Sequence, residues 1–272
     1  QGQKDAEADI LLLVCEGRTF IAGADIREFG KPLQEPGLPD VINAYESSDK
    51  PIVAAIHGTA LGGGLETALG CHYRVALPSA KVGLPEVKLG LLPGAGGTQR
   101  LPRLVGAQKA LEMIRSGNFV GARDALALGI VDAVEAGDDI RQVGLAYAQK
   151  LAGEGAPVRR VRDIADKVEA DKGSDVFDQF RAGLAKKARG LFSPFKCVDA
   201  VEAAFTLPFA EGLKRERELF KECMESPQRA GLVHSFFAER EVSKVKGLAK
   251  DTPVREVKSV GIIGAGTMGG GI

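Results

Sequence analysis

The chain has 272 residues, enough for one large domain or for one domain with part of another. Hydrophobic residues make up 44% and charged residues 26%, ordinary for a globular protein, and Lys+Arg balance Asp+Glu at 36 each. That balance argues against nucleic acid or an anionic membrane as partner, while leaving room for a local basic patch facing an anionic ligand. No apolar run reaches the length of a membrane span, and no secretory signal opens the chain. Four scattered cysteines without a CxxC pair read as reduced thiols, and three histidines without an HExxH pattern give no metal site.

In chain order, Ile10 to Gly17 is a short apolar run closed by glycine and reads as a buried strand. RTFIAGADIREFG reads as a loop entering a short helix. Asp40 to Ser48 suits a helix, and Ile52 to Ile56 a second strand. Gly62, Gly63 and Gly64, followed by LETALG, read as a helix start. YRVALPS and AKVGLPEV bracket strands, and GAQKALEMIRSG is a helix stopped by Gly117. ARDALALGIVDAVEA gives a helix, a turn at Gly129 and a strand. Strands and helices alternate with short connections, which indicates an α/β class. After about Asp138 the pattern is helical. DIRQVGLAYAQKLAGEG is amphipathic, and SPFKCVDAVEAAF, FAEGLKRERELFKECMES and PQRAGLVHSFFAEREVSKV give three more helices with apolar stripes. Residues 159–190 are charge-rich and read as a surface insertion or linker, with RRVRDIADK as a solvated basic face.

Three segments carry chemistry. In AGADIREF, small residues Gly23 and Ala24 let a ligand approach the backbone, with the Ala24 N–H turned outward; a tight turn is the plainer reading. In LGGGLETALG, a helix N-terminus leaves N–H groups without intrahelical partners. No Lys-Ser or Lys-Thr pair closes the glycine run, as a phosphate loop requires, and the Glu66 carboxylate would repel phosphate. An oxyanion formed during reaction fits better, polarised by the N–H groups of Gly63 and Ala24. The helix dipole would hold Glu66 ionised, although a first-turn glutamate also stabilises its own helix. In VGLPEVKLGLLPGAGGTQRLPRLVG, the density of Pro and Gly marks a shaped loop. Glu86 there is either a second acid/base group or a solvated loop glutamate.

Taken in order and spacing, FIAGADI, HGTALGGGLE and GLPEVKLGLLPGAGGTQRLPRLVG resemble the crotonase (enoyl-CoA hydratase/isomerase) superfamily over roughly Ile10 to Arg240. The resemblance implies a spiral of ββα turns closed by C-terminal helices. It implies an oxyanion hole from the N–H groups of Ala24 and Gly63 for an acyl-CoA thioester, and a catalytic pair in Glu66 and Glu86. Gly94 matches the glycine near the catalytic water, and Arg27 a basic position near the CoA site. The implied reaction is hydration of a trans-2-enoyl-CoA in fatty-acid β-oxidation, without a cofactor. A side isomerase activity from 3-enoyl-CoA to 2-enoyl-CoA is also implied. The family's strand–helix segment before Ile10 is absent, which leaves a sheet edge uncovered. The other readings are a fragment inactive for that reason, and another crotonase-type reaction, against which the paired glutamates argue.

The second glycine cluster, SVGIIGAGTMGGGI, places Gly264, Gly266 and Gly269 after an apolar run, Val260 to Ile263. That pattern reads as the first strand and turn of a Rossmann fold. A crotonase segment followed by this turn resembles the bifunctional β-oxidation enzymes, in which an NAD-dependent 3-hydroxyacyl-CoA dehydrogenase comes second. The chain is therefore read as a crotonase core over 1–158, the charged stretch 159–190, C-terminal and linking helices over 191–249, and a connector with the truncated NAD motif over 250–272. PQRAGLVHSFFAERE resembles the linking helix, expected to pack back with Phe236 and Phe237 as anchors. The resemblance puts the protein in the bacterial cytoplasm or else in the peroxisome, and gives the full-length protein an oligomer or a thiolase-partner complex.

Overall fold

The computed structural model describes residues 2, 5–28, 35–188, 190–242, 244, 247, 249, 251–253 and 255–271. Phe29 and Gly30 of the early loop-helix, and parts of the connector over 243–254, lie outside them. The chain forms two compact units, Gln1–Phe236 and Phe237–Ile272.

The first unit opens with strand β1 (Leu11–Leu13) and a 3₁₀ turn (Ile26–Glu28), followed by helix α1 (Leu38–Glu46). Strands β2 (Ile52–Ile56) and β3 (Thr59–Leu61) lead into α2 (Gly63–Gly70). Strands β4 (Tyr73–Ala76) and β5 (Lys81–Gly83) repeat the step and lead through a 3₁₀ turn (Glu86–Leu89) into α3 (Gly97–Val105). Each pair of strands thus divides between two sheets before a helix returns the chain, which is the ββα spiral expected from the resemblance. Helix α4 (Ala107–Ser116), β6 (Val120–Gly121), α5 (Ala122–Ala127) and β7 (Ala133–Val134) complete the sheets. One sheet is parallel in the order β1-β2-β4-β7; the other runs β3-β5-β6.

Strand β2 is buried along its whole length because both faces of its sheet are covered. Side chains alternate across a strand. Ile52, Ala54 and Ile56 enter the main core, while Val53 and Ala55 join Tyr73 and Val75 against Tyr147, Ala148 and Leu151 of α6 (Ile140–Gly153). Strand β1 is the sheet edge, and its three residues are half-buried.

The charge-rich stretch 159–190 is built into the core. It contains α7 (Asp166–Asp171) and α8 (Val176–Lys187), and buries Val161, Val168, Phe177 and Leu184. Burying such a side chain fully contributes roughly 1.5–3 kcal/mol. Its basic run is not a solvated face either: Arg160 donates to the Glu46 carbonyl, Arg162 pairs with the Glu46 carboxylate, and Arg159 pairs with Asp132. Long charged side chains around two acids masked the apolar spacing beneath.

Helices α9 (Ser193–Thr206) and α10 (Phe209–Glu225) close the unit, with α9 packed on α3, α4, α8 and α10. Helix α11 (Pro227–Val242) spans the boundary of the two units. Its first turns lie on Gly90, where an added Cβ would stand 2.9 Å from the Arg229 Cα and 3.1 Å from a Leu232 methyl. Phe236 and Phe237 are half-buried. Among the described residues no helix is long and apolar enough to cross a membrane.

In the second unit the expected strand does not form. Val260, Ile262 and Ile263 are exposed, and the described residues carry no strand after β7. A strand is defined by its ladder partner, and the apolar run here has none. The glycine turn does form: Gly264 has φ 99°, Gly270 N–H donates to the Gly266 carbonyl at 2.8 Å, and a Cβ on Gly269 would stand 1.9 Å from the Gly264 oxygen.

Candidate active site

Glu66 lies in the first turn of α2 and is buried. Its Oε1 accepts the N–H groups of Ala95 and Gly97, each at 2.8 Å. Gly97 must be glycine here, because a Cβ would stand 2.8 Å from that oxygen. Burial pushes the Glu66 carboxyl up, opposed by the two N–H donors and by the charge of Arg100. The sequence reading has the helix dipole hold Glu66 ionised; in the structure burial outweighs these donors and the carboxyl stands above its ordinary value.

Glu86 opens the 3₁₀ turn after β5. Its Oε1 approaches Gly62, where an added Cβ would stand only 3.1 Å away. Gly62 has φ 53° and ψ −127°, a conformation that side chains rarely allow, and it turns β3 into α2. The buried Glu86 Oε2 has no hydrogen-bond partner among the described residues. Burial first, then the charge of Glu66, hold the Glu86 carboxyl well above the ordinary carboxylate range. The two acids therefore face one site with unequal support, so Glu86 keeps its proton more readily.

The segments that carry Ala24 and Gly63 are joined at Ile21 and Ala60 by sheet register. Ile21 bridges Ala60 in parallel, Ile21 N–H donates to the Thr59 carbonyl at 3.2 Å, and Leu61 N–H donates to the Ile21 carbonyl at 3.0 Å. Three residues further along each segment stand Ala24 and Gly63. Ala24 is exposed, and Gly63, as the first residue of α2, has no intrahelical acceptor for its N–H. Gly94 faces Phe220 of α10, whose ring lies 2.5 Å from where a Cβ would be.

Arg27 is an exposed residue whose guanidinium is held by Asp25, with Nη2 2.7 Å from Oδ2. Gly264, Gly266 and Gly269 belong to the second unit.

Sequence reading missed two residues that shape the site. Arg100 is buried, donates to both oxygens of Glu46 at 3.1 and 2.7 Å, and reaches the Ala95 carbonyl at 3.3 Å. Glu216 of α10 is buried and accepts Gly96 N–H at 2.7 Å, Thr98 N–H at 3.0 Å and the Thr98 hydroxyl at 2.5 Å. Burial, then the charge of Glu66, push its carboxyl up to about 8. A signal was present: Gly212, Glu216, Leu219 and Cys223 share one buried face of α10, so an acid sits on an apolar stripe. His72 has a structural role, its Nδ1 accepting the Ile52 N–H at 2.9 Å.

The family model for enoyl-CoA hydratase/isomerase matches residues 2–188. The chain belongs to the enoyl-CoA hydratase/isomerase family. It is 45% identical over 273 residues to the peroxisomal bifunctional enzyme of Danio rerio and 43% identical over 271 residues to that of Homo sapiens. These alignments cover 98% and 97% of this chain but 38% and 37% of the relatives, so the chain spans a little over a third of their length. The carnitinyl-CoA hydratase from Mycobacterium avium has a similar fold, with a TM-score of 0.61 at 27% identity over 88% of this chain and 81% of that one.

Proposed function

We propose that this chain hydrates trans-2-enoyl-CoA to 3-hydroxyacyl-CoA in fatty-acid β-oxidation. The observation that carries this reading is the pair of acids: buried Glu66 anchored by two backbone N–H groups, and half-buried Glu86 with a buried unpartnered oxygen and a raised affinity for its proton. Glu66 orients and activates water for attack at the β-carbon. Glu86 delivers a proton to the α-carbon, and removes it in the reverse direction. The N–H groups of Ala24 and Gly63 stabilise the thioester enolate between these steps; losing one such donor costs about 2.7–4 kcal/mol. Gly94 lends backbone close to the water, and Arg27 contributes to binding the CoA moiety. The same Glu86 supports a side isomerase activity, moving a proton between carbons of a 3-enoyl-CoA.

The relatives are named as bifunctional, and the glycine turn at 264–269 agrees with the start of an NAD-dependent 3-hydroxyacyl-CoA dehydrogenase in the whole protein. That pairing supports the division proposed from sequence: core, C-terminal and linking helices, and the opening of an NAD-binding domain. The relatives' names favour a peroxisomal location over the bacterial cytoplasm. The test is crotonyl-CoA hydration, followed by loss of enoyl-thioester absorbance. Turnover by the protein and its loss in Glu66→Gln and Glu86→Gln support the reading; full turnover in both variants refutes it.

A further inference from the structure

We propose that Glu216 is a positioning residue for hydration: from α10 it fixes the turn at Ala95–Thr98 so that the Ala95 and Gly97 N–H groups meet Glu66. The inference rests on the role assigned to Glu66 above.

Four consecutive backbone N–H groups alternate between two carboxyl groups. Ala95 and Gly97 donate to Glu66, while Gly96 and Thr98 donate to Glu216. A rotation that releases one acid therefore displaces the donors of the other. Both oxygens of Glu216 are used, and the Thr98 hydroxyl adds a third bond at 2.5 Å. Thr98 is held in turn by Gln99, whose Nε2 donates to its hydroxyl at 3.0 Å and to the Ala200 carbonyl of α9 at 2.8 Å. Helices α9 and α10 thus hold the turn through Glu216 and the Ala200 carbonyl. An apolar residue at this point of the α10 stripe would satisfy packing alone, and burying a carboxyl has a large desolvation cost. The acid is explained by the N–H groups that it orders. It acts through Glu66 and contacts no substrate atom in this account, so its loss removes alignment of the activated water and leaves substrate binding in place.

The test is steady-state hydration of crotonyl-CoA by Glu216→Gln, with thermal unfolding to establish that the variant is folded. Gln keeps the size but puts an amide donor against a backbone donor. The expected result is a fall in kcat of roughly 100-fold, the scale of a 1 Å misplacement, with KM nearly unchanged. A folded Glu216→Gln with the original kcat, or with its loss confined to KM, overturns the proposal. If Glu216→Gln does not fold, Thr98→Val decides: it removes one donor to Glu216 and predicts a smaller loss in kcat at constant KM, and unchanged kcat overturns the proposal. Glu66→Gln in the same assay separates the two ideas. If it is inactive while Glu216→Gln is normal, positioning alone fails. If it is fully active, the hydratase reading fails with it.

Discussion

Glu66 is buried and Glu86 half-buried with a buried Oε2, and their surroundings differ in the way the proposed division of acid and base requires. Burial raises both carboxyls, but at Glu66 two N–H groups and Arg100 oppose it, whereas at Glu86 the charge of Glu66 adds to it and holds the carboxyl well above the ordinary range. A positioned acid or base contributes about 10²–10⁴-fold to rate. Glu66→Gln and Glu86→Gln should each lower kcat by about that factor, as steady-state kinetics would read. The pH dependence has a definite sign. Glu86 must carry its proton in the hydration direction, so kcat should be high while Glu86 is protonated and fall as pH rises through its elevated pKa. A kcat profile that falls already across the ordinary carboxylate range would contradict the assignment. Glu66 was legible because it follows a glycine run that lacks a phosphate loop's lysine. Glu216 was not, because its partners lie 118 and 120 residues away in sequence.

Between elements, a buried ion pair braces the same turn from another side. Glu46 at the end of α1 receives Arg100 of α3 and Arg162, whose Nε is 2.7 Å from Oε2. Burial alone would raise the Glu46 carboxyl, but the arginines outweigh it and hold it below the ordinary range. Removing one partner of a buried pair leaves the other charge uncompensated, at about 3–5 kcal/mol. Glu46→Gln should therefore lower unfolding free energy by about that amount in urea titrations; a loss near that of a surface pair, about 0–1 kcal/mol, would contradict it. The sequence reading treated PGAGGTQRLPRLVG as loop throughout, because Pro102 and the glycines are breakers. The structure starts α3 at Gly97 and carries it past Pro102, since Thr98, Gln99, Arg100 and Arg103 all find buried partners. Tertiary bonds outweighed local propensity there. Elements with clean periodicity were read well, as in β2, α4 and α9.

Across the whole molecule, the buried acids also tie stability to pH. Glu216 binds its proton up to about pH 8 in the folded chain, against an ordinary value of 4.5. The folded state then holds more protons than the unfolded state within that window. The contribution is complete below 4.5 and is lost as pH rises towards 8. The melting temperature should fall across this range, and fall less steeply in Glu216→Gln; equal slopes would contradict the linkage. The fold class was legible at this scale from alternating strands and helices and from the order of three glycine-rich segments. The strand expected at Val260–Ile263 was not, because an apolar pattern specifies a strand only where a ladder partner exists. In the proposed reaction Glu86 carries the proton to the α-carbon while Glu66 handles the water. The most direct test is crotonyl-CoA hydration in D₂O, followed by NMR of the product and of α-proton exchange in 3-hydroxybutyryl-CoA. The expected result is one deuterium at the α-carbon in the product, and α-exchange that disappears in Glu86→Gln. Exchange at the original rate in Glu86→Gln would contradict it.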